Sequence, residues 1–283
     1  MFNYFQKAKL YTALGKKASS VLGTGNSKTL GTSVTHKQGP FTFIGTAKAC
    51  QDCQNSNRCC PLATSITTKY GGPLGNYGLT FTSNKVCTFT ASTPKIAKCA
   101  NLGLNVSCNR KGAISATIMK DFIALGIKHN LFAYQGEGHV AIGLGPFMLG
   151  TKIQGVYEKK PKFTPLINFA YKNLDLTFSS PNFLNSVQGS LYHKCSDRFE
   201  FAATGSLAYE GLKHKFALGS NIQVDKKTKS ALKLKYDSKG VASMGFSMAP
   251  CKFTKLGFSA DVDCFNLQDK KSYSFGFNIS FTD

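Results

Sequence analysis

The chain has 283 residues and a net charge of +21, with 35 Lys+Arg against 14 Asp+Glu and no tryptophan. Its mean hydropathy is slightly negative, and its most apolar stretch, Ala141 to Gly150, falls far short of the roughly 20 residues a spanning helix needs. Helical membrane spans are therefore excluded, and basic residues spread over the whole chain point to anions met by a field filling a cavity, where a nucleic-acid patch would concentrate them. Ten cysteines in a chain this long do not make a small disulfide scaffold. The first residues lack the apolar core and cleavage site of a secretory signal. Free thiols in a reducing compartment are the expectation.

Residues Asn3 to Gly23 form the one predicted helix. Leu10, Leu14, Ala18 and Val21 fall at helical spacing on one face, while Lys9, Lys16 and Lys17 lie largely away from it. Gly23 and Gly25, in Gly23-Thr24-Gly25, end the helix and supply a hinge. A basic amphipathic helix suits a membrane surface, a targeting segment or the inner wall of a barrel, and these residues alone do not choose among the three. The chain divides into the helix and hinge (1–25) and a β domain (26–283).

Cys50, Cys53, Cys59 and Cys60 come next. Their first gap suits a zinc site, but the adjacent second pair fits tetrahedral coordination poorly, so a loop with free or redox-active thiols is expected. The rest reads as short strands with period-two alternation. Tyr77, Leu79 and Phe81 alternate with Gly78, Thr80 and Thr82. The same pattern recurs at Phe199 to Tyr209, Leu232 to Tyr236, Ala242 to Met248 and Leu256 to Val262. It is cleanest at Tyr273, Phe275, Phe277, Ile279 and Phe281.

About 19 such segments succeed one another, one face apolar and the other Gly, Ser, Thr, Asn and Lys. So long a meander leaves exposed edges unless the sheet closes. Closure with the apolar face inward makes a lipocalin-like cup, which needs only about eight strands. Closure with that face outward makes a transmembrane β-barrel, all-β and fully hydrogen-bonded within lipid. The strand number favours the membrane barrel.

Phase with the flanking apolar residues turns Lys69, Lys172, Lys215, Lys233 and Lys235 inward, where fixed charge sets selectivity. Lys16 and Lys17 would join them from the helix if it lies against the inner wall. No Ser-His-Asp or paired-carboxylate arrangement stands out, and Gly136 to Gly145 lacks the lysine and following helix of a phosphate loop. No enzyme activity, cofactor or metal is expected.

The run Leu10-Tyr11-Thr12-Ala13-Leu14-Gly15-Lys16-Lys17-Ala18 is very similar to the N-terminal helix of the mitochondrial voltage-dependent anion channel (mitochondrial porin) family, especially its plant members. Asn76 to Thr82 resembles that family's fourth strand, and Gly189-Ser190-Leu191-Tyr192-His193-Lys194 a later one. The middle, Cys99 to Pro181, matches by pattern more than by residues.

The resemblance implies a barrel closed by parallel pairing of its first and last strands, with the helix inside the pore and Leu10 and Leu14 anchoring it to the wall. The strand number of 19 is the one known for the mitochondrial channel itself and is not deduced from this chain. The implied function is a voltage-gated, weakly anion-selective diffusion pore for ions and metabolites (ATP, ADP, phosphate) across the mitochondrial outer membrane. The implied partners are membrane lipid, anionic metabolites, small ions and homo-oligomer or membrane-complex partners, without nucleic acid. Ser274, Gly276, Ile279 and Phe281 resemble the sorting signal of mitochondrial barrels.

Two positions depart from the family. Gly103-Leu104-Asn105 lacks the lysine of a motif sometimes linked to nucleotide contact, and Gly211-Leu212-Lys213 falls in a different strand. Ser83 stands where some animal members carry a lipid-facing glutamate. The alternative reading is the central pore of the outer-membrane protein-import complex, which has a longer N-terminal extension and a more acidic lumen.

Overall fold

The computed structural model describes residues 9, 13–23, 29–50, 62–97, 100–133, 135–156, 159–181, 185–268 and 272–283. A single helix, α1 (Lys16–Leu22), precedes the strands among these residues. The first strands are β1 (Thr29–Gln38), β2 (Phe41–Cys50), β3 (Ala63–Gly72), β4 (Gly75–Thr82), β5 (Cys87–Ala97), β6 (Ala100–Ser107) and β7 (Lys111–Lys120). Next come β8 (Ile123–Asn130), β9 (Gln135–Leu144), β10 (Phe147–Val156), β11 (Lys159–Tyr171), β12 (Leu174–Ser179) and β13 (Ser186–Lys194). The series ends with β14 (Phe199–Ala208), β15 (Lys213–Asp225), β16 (Ser230–Asp237), β17 (Val241–Cys251), β18 (Thr254–Asp263) and β19 (Tyr273–Thr282).

All belong to one 19-stranded sheet in which each strand pairs antiparallel with the next. The sheet closes where β1 and β19 run parallel, in register from Leu30 opposite Phe277 to Thr35 opposite Thr282. Every strand thus has two neighbours. Among the described residues no strand is left as a free edge, the condition for a sheet to sit in hydrocarbon.

The helix fixes which face is inside. Ala18 and Val21 pack against Tyr192 of β13 and Ala202 of β14. Lys17 reaches Asp175 of β12, and Lys233 of β16 reaches the carbonyl of Ser20. The register carries that inward phase around the wall, since residues directly opposite across a ladder share a face. From Tyr192 it passes to Ala202, Gly219, Lys235, Ser243, Asp261 and Ser274.

The outward phase is the apolar one. Ile66, Phe81 and Phe275 are 64%, 52% and 62% exposed, an arrangement that water would penalise and lipid would not. Away from strand ends and bulges, no Asp, Glu, Lys or Arg takes an outward position among the described residues. The faces expected from alternation are therefore the observed ones, with Leu232, Leu234 and Tyr236 outside and Lys233 and Lys235 inside.

Of the expected helix from Asn3 to Gly23, residues 3–8 and 10–12 lie outside the described residues, and within the described ones α1 begins at Lys16. Gly15 takes φ 74 and ψ −3, a left-handed conformation, immediately before Lys16. A left-handed residue cannot continue a right-handed helix, and glycine adopts it without a Cβ penalty. Leu14 is thus uncoupled from the Ala18–Val21 face and packs against a separate cluster of Ala124, Ala141 and Met148 on β8, β9 and β10. Leu10 and Gly25 lie outside the described residues.

Candidate pore and the helix inside it

Glycine on the wall lets the helix come close. A Cβ added at Gly219 of β15 would lie 2.8 Å from Leu22 Cδ2 and 2.8 Å from the Leu234 carbonyl. Ala202 is fully buried beneath Ala18 and Val21, which are 1% exposed. This small patch is anchored by polar contacts at both ends of α1.

At the N-terminal end, Lys17 Nζ lies 3.6 Å from Asp175 Oδ2 and 5.4 Å above the Tyr192 ring. Asp175 accepts a 2.6 Å hydrogen bond from Asn168 Nδ2. The Asn168 amide also donates to Thr177 Oγ1 at 2.8 Å. The Tyr192 hydroxyl donates to Glu200 at 3.1 Å, and Asn221 Nδ2 donates to the other oxygen of that carboxylate at 3.1 Å. A half-exposed ion pair is worth about 0–1 kcal/mol. Position is therefore set by the wall network, which holds Asp175 and Glu200 in place.

At the C-terminal end, Lys233 Nζ donates to the Ser20 carbonyl at 2.6 Å and to the Gly23 carbonyl at 3.2 Å. The last turn of a helix leaves such carbonyls without intrahelical donors, and a cation there also complements the helix dipole. Gly23 is extended at φ −79 and ψ 97, and its carbonyl accepts the Lys233 bond from the wall.

Beside the helix is lumen space of about 760 Å³, bordered by Lys16, Ser19, Lys152, Lys215, Lys235 and Lys239 among others. Lys69 faces inward on β3, opposite Gly78. Of the expected pore lysines, Lys16, Lys215 and Lys235 border this one space, Lys17 and Lys233 hold the helix, and Lys69 stands on the distant wall.

Lys172 differs from its expected place. It lies in the turn between β11 and β12 with φ 50, its ammonium 5.3 Å over the ring of outward-facing Tyr171. The apolar neighbours that gave it an inward phase belong to two different strands, and a reversing chain does not carry phase through its turn.

The register adds lysines that were not singled out. Lys48, Lys111, Lys128, Lys152, Lys162 and Lys255 all share the inward face. The same period-two rule, carried along their strands, places them inward as well. The inward acids are partly engaged. Asp175 and Glu200 serve the helix dock, and Glu137 pairs with Lys152 at 2.9 Å. What remains is a net positive lining. At the rim, the Lys194 ammonium 3.0 Å from Asp197 holds that carboxyl below the usual carboxylate range.

Ser274 and Gly276 of β19 face the lumen, whereas Ile279 and Phe281 face outward. Cys50 ends β2, and Cys53, Cys59 and Cys60 lie outside the described residues. Ser83 occupies a turn, its N–H donating to the Thr64 carbonyl at 2.9 Å.

A family model described as eukaryotic porin matches residues 7–276. The chain belongs to that family. A curated relative, the non-selective voltage-gated ion channel VDAC2 of Xenopus laevis, is 26% identical over 219 residues, spanning 72% of this chain and 75% of the relative. Together with the barrel, this makes the porin a pore of the voltage-dependent anion channel type. The family points to a channel and not to an enzyme, and nothing in the comparisons favours the protein-import reading.

Proposed function

We propose that the protein is a weakly anion-selective, voltage-gated diffusion pore of the mitochondrial outer membrane that passes small ions and metabolites such as ATP, ADP and phosphate. The observation that carries this reading is the division of faces: apolar residues outward in every strand, lysines and small polar residues around a hollow interior. A water-filled barrel keeps solutes hydrated through the hydrocarbon layer. The lining sets preference among them by charge, in a way that salt screens.

The helix is the voltage-responsive element in this account. Its own Lys16 and Lys17 lie inside the barrel, and a charge moved through 100 mV is worth about 2.3 kcal/mol, more than the Lys17–Asp175 pair supplies. Ser274, Gly276, Ile279 and Phe281 act as the sorting signal for the outer membrane. Uptake of labelled ATP into proteoliposomes of the folded protein tests the transport reading. Equilibration within minutes, far faster than in protein-free vesicles, is expected; retention of an impermeable barrier to ATP with the barrel inserted would refute it.

A further inference from the structure

Cys87 opens β5, and Cys108 directly follows β6. Thr88 and Ser107 form the register pair next to them, so the two cysteines stand opposite one another at the end of the ladder. The Cys108 N–H donates to the Cys87 carbonyl at 2.9 Å, and the Cys87 N–H donates to Cys108 Sγ at 3.0 Å. Residues opposed in this way have Cα atoms roughly 5.5 Å apart and Cβ atoms roughly 4.5–5.5 Å apart on the same side of the sheet. A disulfide spans Cα separations of about 4.4–6.8 Å with Cβ atoms about 3.5–4.5 Å apart. Rotation of the two side chains and a small approach of the strand ends, where turns flank both residues, meets that geometry.

Both residues are free thiols, Cys108 exposed and Cys87 half-buried. The Cys108 thiol donates to the Lys85 carbonyl at 3.6 Å, so it lies at the rim over the turn between β4 and β5. Among the described residues, no second thiol is placed in register with Cys195, Cys251 or Cys264.

We propose that Cys87 and Cys108 form an oxidisable dithiol at the rim, closed by exchange with a low-molecular-weight disulfide of the glutathione type. The Cys108 thiol loses its proton to solvent, and its thiolate attacks one sulfur of the small disulfide. A mixed disulfide forms and one small thiolate leaves. The Cys87 thiol then loses its own proton to solvent, its thiolate attacks the Cys108 sulfur, the bond between the two cysteines forms, and the second small thiolate leaves. The two protons released to solvent protonate the two small thiolates. Two protein thiols are oxidised and one small disulfide is reduced to two thiols. Lys85, Arg110 and Lys111, close in sequence to the pair, give this rim positive charge that favours an anionic disulfide. The outward phase of Cys87, shared with Phe89, keeps the reaction off the lumen, so it is independent of the transport reading.

The test holds the folded full-length chain in liposomes under graded ratios of reduced to oxidised glutathione, alkylates the remaining thiols and maps them by mass spectrometry. Alkylation of Cys87 and Cys108 should fall together as a linked peptide pair lacking two hydrogens appears. Cys87→Ser should convert Cys108 to a glutathione adduct without the link, and Cys264→Ser should leave the link intact. Thiols at 87 and 108 that stay alkylatable at every ratio would overturn the proposal. So would linkage of either residue to Cys50, Cys53, Cys59 or Cys60 as readily as to its opposite. Serine is nearly isosteric, and a gel shift on heating confirms that each variant keeps its barrel.

Discussion

Lys233 Nζ lies 2.6 Å from the carbonyl oxygen of Ser20, so a lysine of the barrel wall closes the last turn of the helix in the lumen. Its charge still contributes to the field of the pore, but its position is spent on the helix. Lys233→Met keeps much of the side-chain bulk and removes the donor. The variant should close at a clearly different voltage in planar bilayers, with a smaller change in ion preference than Lys215→Met causes. Deleting residues 1–22 should give the larger effect on closure. Voltage dependence identical to the parent in both would remove the helix from gating.

The anion preference should respond to the lining residues that carry no helix contact. Lys69→Glu with Lys215→Glu replaces two inward positive charges by negative ones on separated walls. The reversal potential under a KCl gradient should move toward the cation value, and by less in 1 M salt, where the screening length is about 3 Å, than at 0.1 M, where it is about 10 Å. The comparison variant is Lys172→Glu. Its turn position over Tyr171 predicts a much smaller shift.

Gly219 is the point of closest approach between helix and wall. Gly219→Val would place side-chain atoms where Leu22 and the Leu234 carbonyl already are. The clash with Leu22 is relieved if the helix moves away, whereas the clash with the Leu234 carbonyl falls on the wall backbone and is met by a local shift between β15 and β16. Cross-linking of paired cysteines introduced at Val21 and Ala202 should then fall several-fold relative to the Gly219 parent, with the barrel intact. Unchanged cross-linking would show that the helix tolerates the added bulk where it sits.

The outward face should be intolerant of charge. Leu218 sits mid-strand on β15 and is 43% exposed. Leu218→Lys is expected to lower barrel stability in lipid by about 2–4 kcal/mol, the cost of a lysine near the bilayer midplane. The same lysine at inward Ala217 should cost little. Guanidinium unfolding from vesicles measures both. Equal costs would contradict the assignment of faces.

The barrel was legible because period-two alternation is a local property: Tyr273 to Phe281 announces its two faces without any knowledge of neighbours. The helix dock was not, because it depends on pairs distant in sequence. Ser20 and Lys233, or Lys17 and Asp175, meet only after the sheet has closed, and nothing in Asp175 as a lone strand acid marks its partner. Gly15 shows a different limit. The Leu14–Ala18 spacing is helical on paper, yet a left-handed glycine between them sends the two residues to separate walls. Lys172 was misplaced because its apolar flanks, Tyr171 and Leu174, belong to consecutive strands joined by a tight turn.

An open hole ringed by positive charge shows itself in the reversal potential of single channels in a planar bilayer with asymmetric KCl. Stepwise conductance is expected, with a potential of the sign set by chloride moving faster than potassium, diminishing as both salt concentrations are raised. Absence of channel steps from inserted protein, or a potential of the opposite sign, would contradict it.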